Sequence, residues 1–223
     1  MTERRLFILL EGNDDERFFS RVVVPLLAPR YRSVRVVKYA CLKRSRVCRF
    51  VRSFQRTGDE YMVVADIDQA PGVKAKKDAV MGRFCVLKPS DIVVIIQEIE
   101  SWYLAGLETS DARRLGVNPL PSTDHVTKED FNTTIPPQYV SRIAYMLEIL
   151  SRFSIAAACR KNRSFHYFMT HYHLARDIPS LQVVADTTGR GGEHQEGSQG
   201  EASSRTGEDS TDPEVGRGKP GTL

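Results

Sequence analysis

Leu6-Phe7-Ile8-Leu9-Leu10-Glu11-Gly12-Asn13-Asp14-Asp15-Glu16-Arg17-Phe18-Phe19 is the stretch that decides how this chain reads. An apolar run of strand length ends on a glutamate, a glycine makes the turn, and an acidic opening leads into a helix. A run bounded by charge and glycine is what a strand covered on both faces looks like. Asn13 or Asp14 can cap the helix, and Asp14, Asp15 and Glu16 suit the positive end of its dipole. Phe18, Phe19, Val22, Val23, Leu26 and Leu27 then recur at helical spacing, and Pro29 closes the segment. Glu11 therefore stands at the carboxyl end of a buried strand, where open α/β sheets keep their ligand sites. An acid in that place needs a cation, a proton or water.

Working outward, the same grammar repeats. Val34–Tyr39 reads as a second strand and Cys41–Arg56 as a helix, with Leu42, Val47, Phe50, Val51 and Phe54 on one side. Tyr61–Ala65 is a third strand ending in Asp66-Ile67-Asp68. A helix over roughly Ala75–Leu87 leads to a fourth strand, Asp91–Ile96, ending in Gln97-Glu98-Ile99-Glu100 before Ser101-Trp102-Tyr103-Leu104. Strands alternating with helices predict an α/β fold, a mostly parallel four-stranded sheet flanked by helices and joined by right-handed crossovers. From Leu107 to Pro137, four prolines predict short helices and loops. Tyr139–Phe153 and Phe165–Arg176 read as two further helices with an Arg160–Arg163 turn before the second, and Leu181–Ala185 as a fifth strand or a docked extension. The expected organisation is a sheet domain over 1–110, a small helical C-terminal region over 111–186 and a disordered tail over 187–223.

The tail is separated by composition. Its 37 residues hold nine of the fifteen glycines and, as large apolar residues, only Val215 and Leu223. Such a segment buries too little surface to offset the entropy of ordering it. It carries four Lys and Arg against seven Asp and Glu, which leaves 28 against 21 for residues 1–186. A modest positive excess permits contact with nucleic acid, although solubility alone accounts for it. Cys41, Cys48, Cys85 and Cys159 are scattered without a C-x-x-C pair, which suits a reducing compartment better than a disulfide framework or a zinc site. The N-terminal apolar run is too short for a signal peptide and no run reaches membrane-spanning length, so the expected setting is cytoplasmic, with no membrane.

Three of the four strands end in acids: Glu11, then Asp66 with Asp68, then Glu98 with Glu100. Residues two apart on an extended segment point the same way, so each pair can aim at one place. Two carboxylates about 4 Å apart repel by roughly 4 kcal/mol at an effective dielectric of ~20. Acids gathered at one sheet edge need a compensating cation, and all-oxygen ligands favour Mg²⁺ or Mn²⁺ over zinc. Mg²⁺ held by few carboxylates is typically bound together with substrate phosphates, which points to phosphoryl chemistry. Polar loops and helix N-termini also attract acids. That ordinary explanation suffices for any one of them and is strained by three strand ends together.

Leu9-Leu10-Glu11-Gly12-Asn13-Asp14-Asp15, followed by Val63-Val64-Ala65-Asp66-Ile67-Asp68, resembles the Toprim domain. Toprim is the metal-binding α/β module of topoisomerases, bacterial primases and overcoming-lysogenization-defect nucleases. Gln97-Glu98-Ile99-Glu100-Ser101-Trp102-Tyr103-Leu104 is similar to the Glu-x-x-x-Trp-x-Leu signature of an uncharacterised bacterial Toprim-like family, often encoded beside ABC-type ATPases in defence-like loci. Lys161-Asn162-Arg163-Ser164-Phe165 resembles that family's C-terminal Lys-x-Ser-Phe region. The likeness covers residues 5–105, and more weakly 138–175. It departs at Asp14, where the family carries threonine. The resemblance implies that Asp66 and Asp68 hold Mg²⁺ or Mn²⁺, that Glu11 is a ligand or general acid/base, and that Asp15 with Glu98 or Glu100 completes the cluster. It further implies a metal-dependent nuclease acting on DNA or RNA with an ATPase partner, or else a non-catalytic module that binds nucleic acid or a partner.

Two basic features bear on a phosphate substrate. Arg49, Arg52 and Arg56 follow i, i+3, i+7 spacing, one stripe of a helix that contains no acid, and suit a nucleic-acid backbone or simply a solvated surface. Lys161, with Arg160 and Arg163, is placed to neutralise a transition-state phosphate if its turn folds over the carboxylates. His166, His171 and His173 lack the i, i+4 spacing of a helical zinc pair. Trp102 reads as core, and no Walker sequence is present.

Overall fold

Leu6, Ile8 and Leu10 of the first strand face one apolar layer while Leu9 faces another, so the opening strand is buried on both sides. In this computed structural model, residues 4–84 and 86–174 are described. The strands are β1 (Arg5–Leu10), β2 (Ser33–Lys38), β3 (Glu60–Asp66) and β4 (Ile92–Ile95). They form one all-parallel sheet in the order β2-β1-β3-β4. The protein is thus α/β, with a four-stranded parallel sheet flanked by helices. Leu9 pairs with Val37 on one side and Val63 on the other, and Asp66 with Ile95. The same alternation runs through β3, where Met62 and Val64 enter the first layer and Val63 and Ala65 the second.

The first layer begins with α1 (Asn13–Phe18), which continues through a π-helical turn (Phe19–Val23) into α2 (Val24–Leu27). The second layer is α3 (Arg44–Thr57) and α4 (Val73–Arg83), whose Val47, Val51, Phe54 and Val80 cover Leu9, Val63 and Val94. After β4 the chain enters α5 (Ile99–Ala105), all seven residues of which are buried. Then follow α6 (Thr109–Leu115), α7 (Lys128–Thr133), α8 (Arg142–Ser151), α9 (Ile155–Lys161) and α10 (Arg163–His171).

Several expectations change. Ile99 and Glu100 belong to α5 and do not prolong β4, because a segment apolar on every side shows no helical period. Arg160 and Lys161 end a helix, α9, where a turn was expected. The boundary near residue 110 marks no break in the core: one apolar cluster runs from Leu6 through Trp102, Tyr145 and Phe168 to Leu174. α10 also stops at His171, short of the end expected near Arg176, while the proposed fifth strand at Leu181–Ala185 and the tail over 187–223 lie outside the described residues. Among the described residues no helix is long and apolar enough to cross a membrane, and Cys41, Cys48 and Cys159 are free thiols.

Candidate functional site

β1 and β3 lie side by side at the centre of the sheet. From β1 the chain leaves toward β2 through the first layer, and from β3 toward β4 through the second. Connections that depart in opposite directions open a crevice at the strands' carboxyl ends. Glu11 follows the last residue of β1, and Asp66 is the last residue of β3.

Asp66 continues the face of Met62 and Val64, so it points into the first layer, toward α1 and α5. Its Oδ1 is enclosed and has no hydrogen-bond partner among the described residues. Burial first, and then the charges of Asp15, Glu100, Glu11 and Glu98, push its carboxyl up to about 9. Four of the other five predicted acids therefore act on Asp66.

Each of the other four has a partner of its own. Glu11 Oε1 accepts a 2.6 Å hydrogen bond from the Tyr39 hydroxyl. Burial, followed by the charge of Glu11, raises the pKa of that hydroxyl, so it keeps its proton. Asp15 is buried, and its Oδ2 accepts from the Gly12 backbone N–H at 3.0 Å. Burial drives its carboxyl up, and the Gly12 N–H opposes the rise. A Cβ on Gly12 would lie 3.0 Å from that same oxygen, so the glycine leaves room for the contact. Glu98 Oε2 accepts from the Lys128 N–H at the start of α7 at 2.5 Å. Glu100 is 3% exposed and pairs with Arg142, the first residue of α8. Its carboxyl is raised by burial and held back by its own backbone N–H and by Arg142.

Arg142 also pairs with Asp14, to which Arg17 Nη1 approaches at 2.5 Å. Burial works against the Asp14 carboxylate, but Arg142 and Arg17 outweigh it and hold its pKa below the usual range. Arg142 completes its contacts with Asn132 Oδ1 at 2.9 Å and lies over the Phe131 ring, 5.3 Å from its centroid. Arg142 and Tyr39 are the participants that sequence reasoning missed. Their partners lie 128 and 28 residues away in the chain, so no local spacing marks them.

Asp68 does not join the group as expected. Its backbone is left-handed, with φ +48°, so the chain is no longer extended after Asp66 and the period-two argument fails there. Its carboxylate is 59% exposed and pairs with Lys76 of α4. Lys161 is also elsewhere: its Nζ donates to the Leu107 carbonyl beyond the C-terminus of α5. Glu98 and Glu100 mark the other end of that helix, about 10 Å away at 1.5 Å per residue. Burial lowers the Lys161 ammonium. The condition that residues 160–163 fold over the acids is not met: Arg160 pairs with Glu108 at 2.9 Å and Arg163 with Asp124 at 2.7 Å.

What residues 161–165 do is fix α5. Trp102 Nε1 donates to Ser164 Oγ at 2.7 Å, and Ser164 Oγ donates to Asn162 Oδ1 at 2.8 Å. Asn162 Nδ2 reaches Ser101 Oγ at 3.3 Å and Thr123 Oγ1 at 3.2 Å. These buried polar groups are satisfied by one another and by nearby backbone, with Phe165 N–H donating to Asn162 Oδ1 at 2.9 Å and Ser101 Oγ donating to the Ile96 carbonyl at 3.3 Å, so they set the position of the helix that carries Glu100.

Arg49, Arg52 and Arg56 are exposed on α3 and form no ion pair among the described residues. They border one shallow surface with Ser53. α3 starts beside the acidic edge after β2 and ends where β3 begins, so the stripe runs away from the acids along the outside of the second layer.

A cation taken up here would meet Glu11, Asp15, Asp66, Glu98 and Glu100, all through oxygen. Among the described residues no three His, Cys, Asp or Glu side chains stand ready as a ligand set, because every acid but Asp66 is turned to its own partner. Comparison with known protein families, characterised proteins and solved structures finds no match to this chain.

Proposed function

We propose that the crevice between β1 and β3 takes up Mg²⁺ or Mn²⁺ and hydrolyses phosphodiester bonds in DNA or RNA. One observation carries this reading: the enclosed, unpartnered Oδ1 of Asp66, ringed by Asp15, Glu100, Glu11 and Glu98. A carboxylate oxygen enclosed without a donor favours a proton or a cation beside it, and an all-oxygen set suits a hard divalent ion. When bound, the ion supplies positive charge at the attacking and leaving oxygens of the displacement.

Asp66 and Glu11, with Asp15, Glu98 and Glu100, would hold the ion through carboxylate oxygens, Glu100 only if Arg142 released it. Tyr39 holds Glu11 by one oxygen, leaving the other to meet a ligand or accept a proton. Asp68 is exposed and paired with the largely covered Lys76, so it stands outside the group that would hold the ion. Arg49, Arg52 and Arg56 follow the substrate backbone on the outer face. The Glu11-Gly12 and Asp66-Ile67-Asp68 pattern supports a Toprim-like assignment. An ABC-type ATPase partner and a role in defence or DNA processing rest on that resemblance.

A second reading is a Toprim-like module that binds nucleic acid or a partner without cleaving. It is favoured by the partners that already occupy Glu11, Asp15, Glu98 and Glu100. Cleavage of labelled DNA and RNA in Mg²⁺ and in Mn²⁺ separates the two. Wild-type protein is expected to cleave one of them only with metal, and Asp66→Asn to lose about 100-fold or more of that activity. Binding without cleavage by the wild type under every metal condition would leave the module reading in place.

A further inference from the structure

We propose that Arg142 is the resident counter-cation of the acidic crevice, holding Glu100 and Asp14 until a divalent cation displaces it from Glu100. The inference rests on the metal-binding reading above and adds what keeps the acids together in its absence.

The geometry is specific to arginine. One side chain from α8 meets three other elements: Nη1 pairs with Asp14 of α1, Nη2 with Glu100 of α5, and Nε donates to Asn132 of α7. A planar guanidinium offers donors in a fixed fork, so one charge serves two carboxylates, whereas the point charge of a lysine favours one. The Phe131 ring beneath it and the Asn132 bond anchor the group independently of Glu100.

The compensation is incomplete in one place. Arg142 and Arg17 serve Asp14, and Arg142 serves Glu100, while Asp66 Oδ1 has no donor. Glu100 is the acid both sides contend for. It is bound by Arg142, and its charge acts on Asp66. A cation arriving at Asp66 attracts Glu100 and repels the guanidinium, so each weakens the other's hold by the same factor.

A purely structural ion pair makes a different forecast. Its loss would lower stability equally with and without metal, because removing one partner of a buried pair leaves the other uncompensated. A counter-cation's loss is instead made good by metal.

The test uses the full chain as wild type, Arg142→Met and Arg142→Lys, with Mn²⁺ affinity read by calorimetry and melting temperature followed with and without Mn²⁺. Arg142→Met is expected to bind Mn²⁺ about tenfold more tightly than wild type, and to melt lower without metal by a margin that shrinks at saturating Mn²⁺. Arg142→Lys should fall between, and it carries the affinity comparison should Arg142→Met not fold without metal. Unchanged or weaker Mn²⁺ binding by the variants, with wild type binding normally, overturns this inference alone. No Mn²⁺ binding by any of the three proteins overturns the metal reading and this inference with it.

Discussion

At Asp66 the surroundings favour the protonated carboxyl, and this makes the stability of the metal-free protein depend on pH. The group's value in the fold, about 9, lies above the usual carboxylate range. Its contribution is therefore fully present below about pH 4 and is lost as pH rises through about 9. Each unit of such a rise corresponds to about 1.4 kcal/mol. Asp66→Asn removes the slope. In chelator, the variant should melt above wild type at pH 8, and the gap should close toward pH 4, as thermal denaturation across pH will show. Asp15 reads as a helix-opening acid and joins the group through the Toprim resemblance. Glu11 and Asp66 were legible as acids at strand ends, because the apolar runs before them fix where each strand stops, and Glu98 and Glu100 as acids just beyond the fourth run. Asp68 was not, since the turn to φ +48° follows from no residue pattern. Lys161 was misplaced because its position depends on α9, and Arg142 was invisible because its partners are remote in the chain.

The elements show the same division. The four strands and the helices of the second layer were readable because each keeps its period and is bounded by charge, glycine or proline. α5 was not, because Ile99-Glu100-Ser101-Trp102-Tyr103-Leu104-Ala105 is buried on every side and presents no polar face. The π-helical turn at Phe19–Val23 was likewise hidden inside an ordinary helical spacing. What positions α5 is the chain of bonds from Trp102 through Ser164 to Asn162. Ser164→Ala leaves the buried indole N–H without an acceptor and should cost about 1–3 kcal/mol, measured as a lower urea midpoint. Because α5 carries Glu100, the same variant should bind Mn²⁺ less tightly than wild type.

At the scale of the whole molecule, the acids around Asp66 and the stripe of Arg49, Arg52 and Arg56 lie on different elements. The acids occupy the carboxyl edge of the sheet and the first layer, while the free arginines run along the outside of the second. If nucleic acid follows that stripe, converting Arg49, Arg52 and Arg56 together to alanine should reduce the slope of log affinity against log salt by about 2–3. Stability should change by no more than about 0.5 kcal/mol per site, since all three are exposed. An unaltered slope, measured by fluorescence anisotropy over a salt series, would place the substrate on another surface. The domain boundary drawn near residue 110 failed at this scale because α8, α9 and α10 return to cover the first layer. Shared burial of that kind leaves no mark in composition.

The bridge from Arg142 to Asp14 spans 128 residues of chain, and it has a consequence in time. A ribosome delivers Asp14, Asp66 and Glu100 well before Arg142. All four strands can exist while the cation that bridges Asp14 of α1 and Glu100 of α5 has not yet been made. Closing so long a loop costs only slightly more than closing a shorter one, so the delay comes from the order of synthesis. The acidic edge is the last part of the sheet to gain its counter-charge. Until then Glu100 lacks the guanidinium that pairs with it in the finished fold, and Asp14 has Arg17 alone.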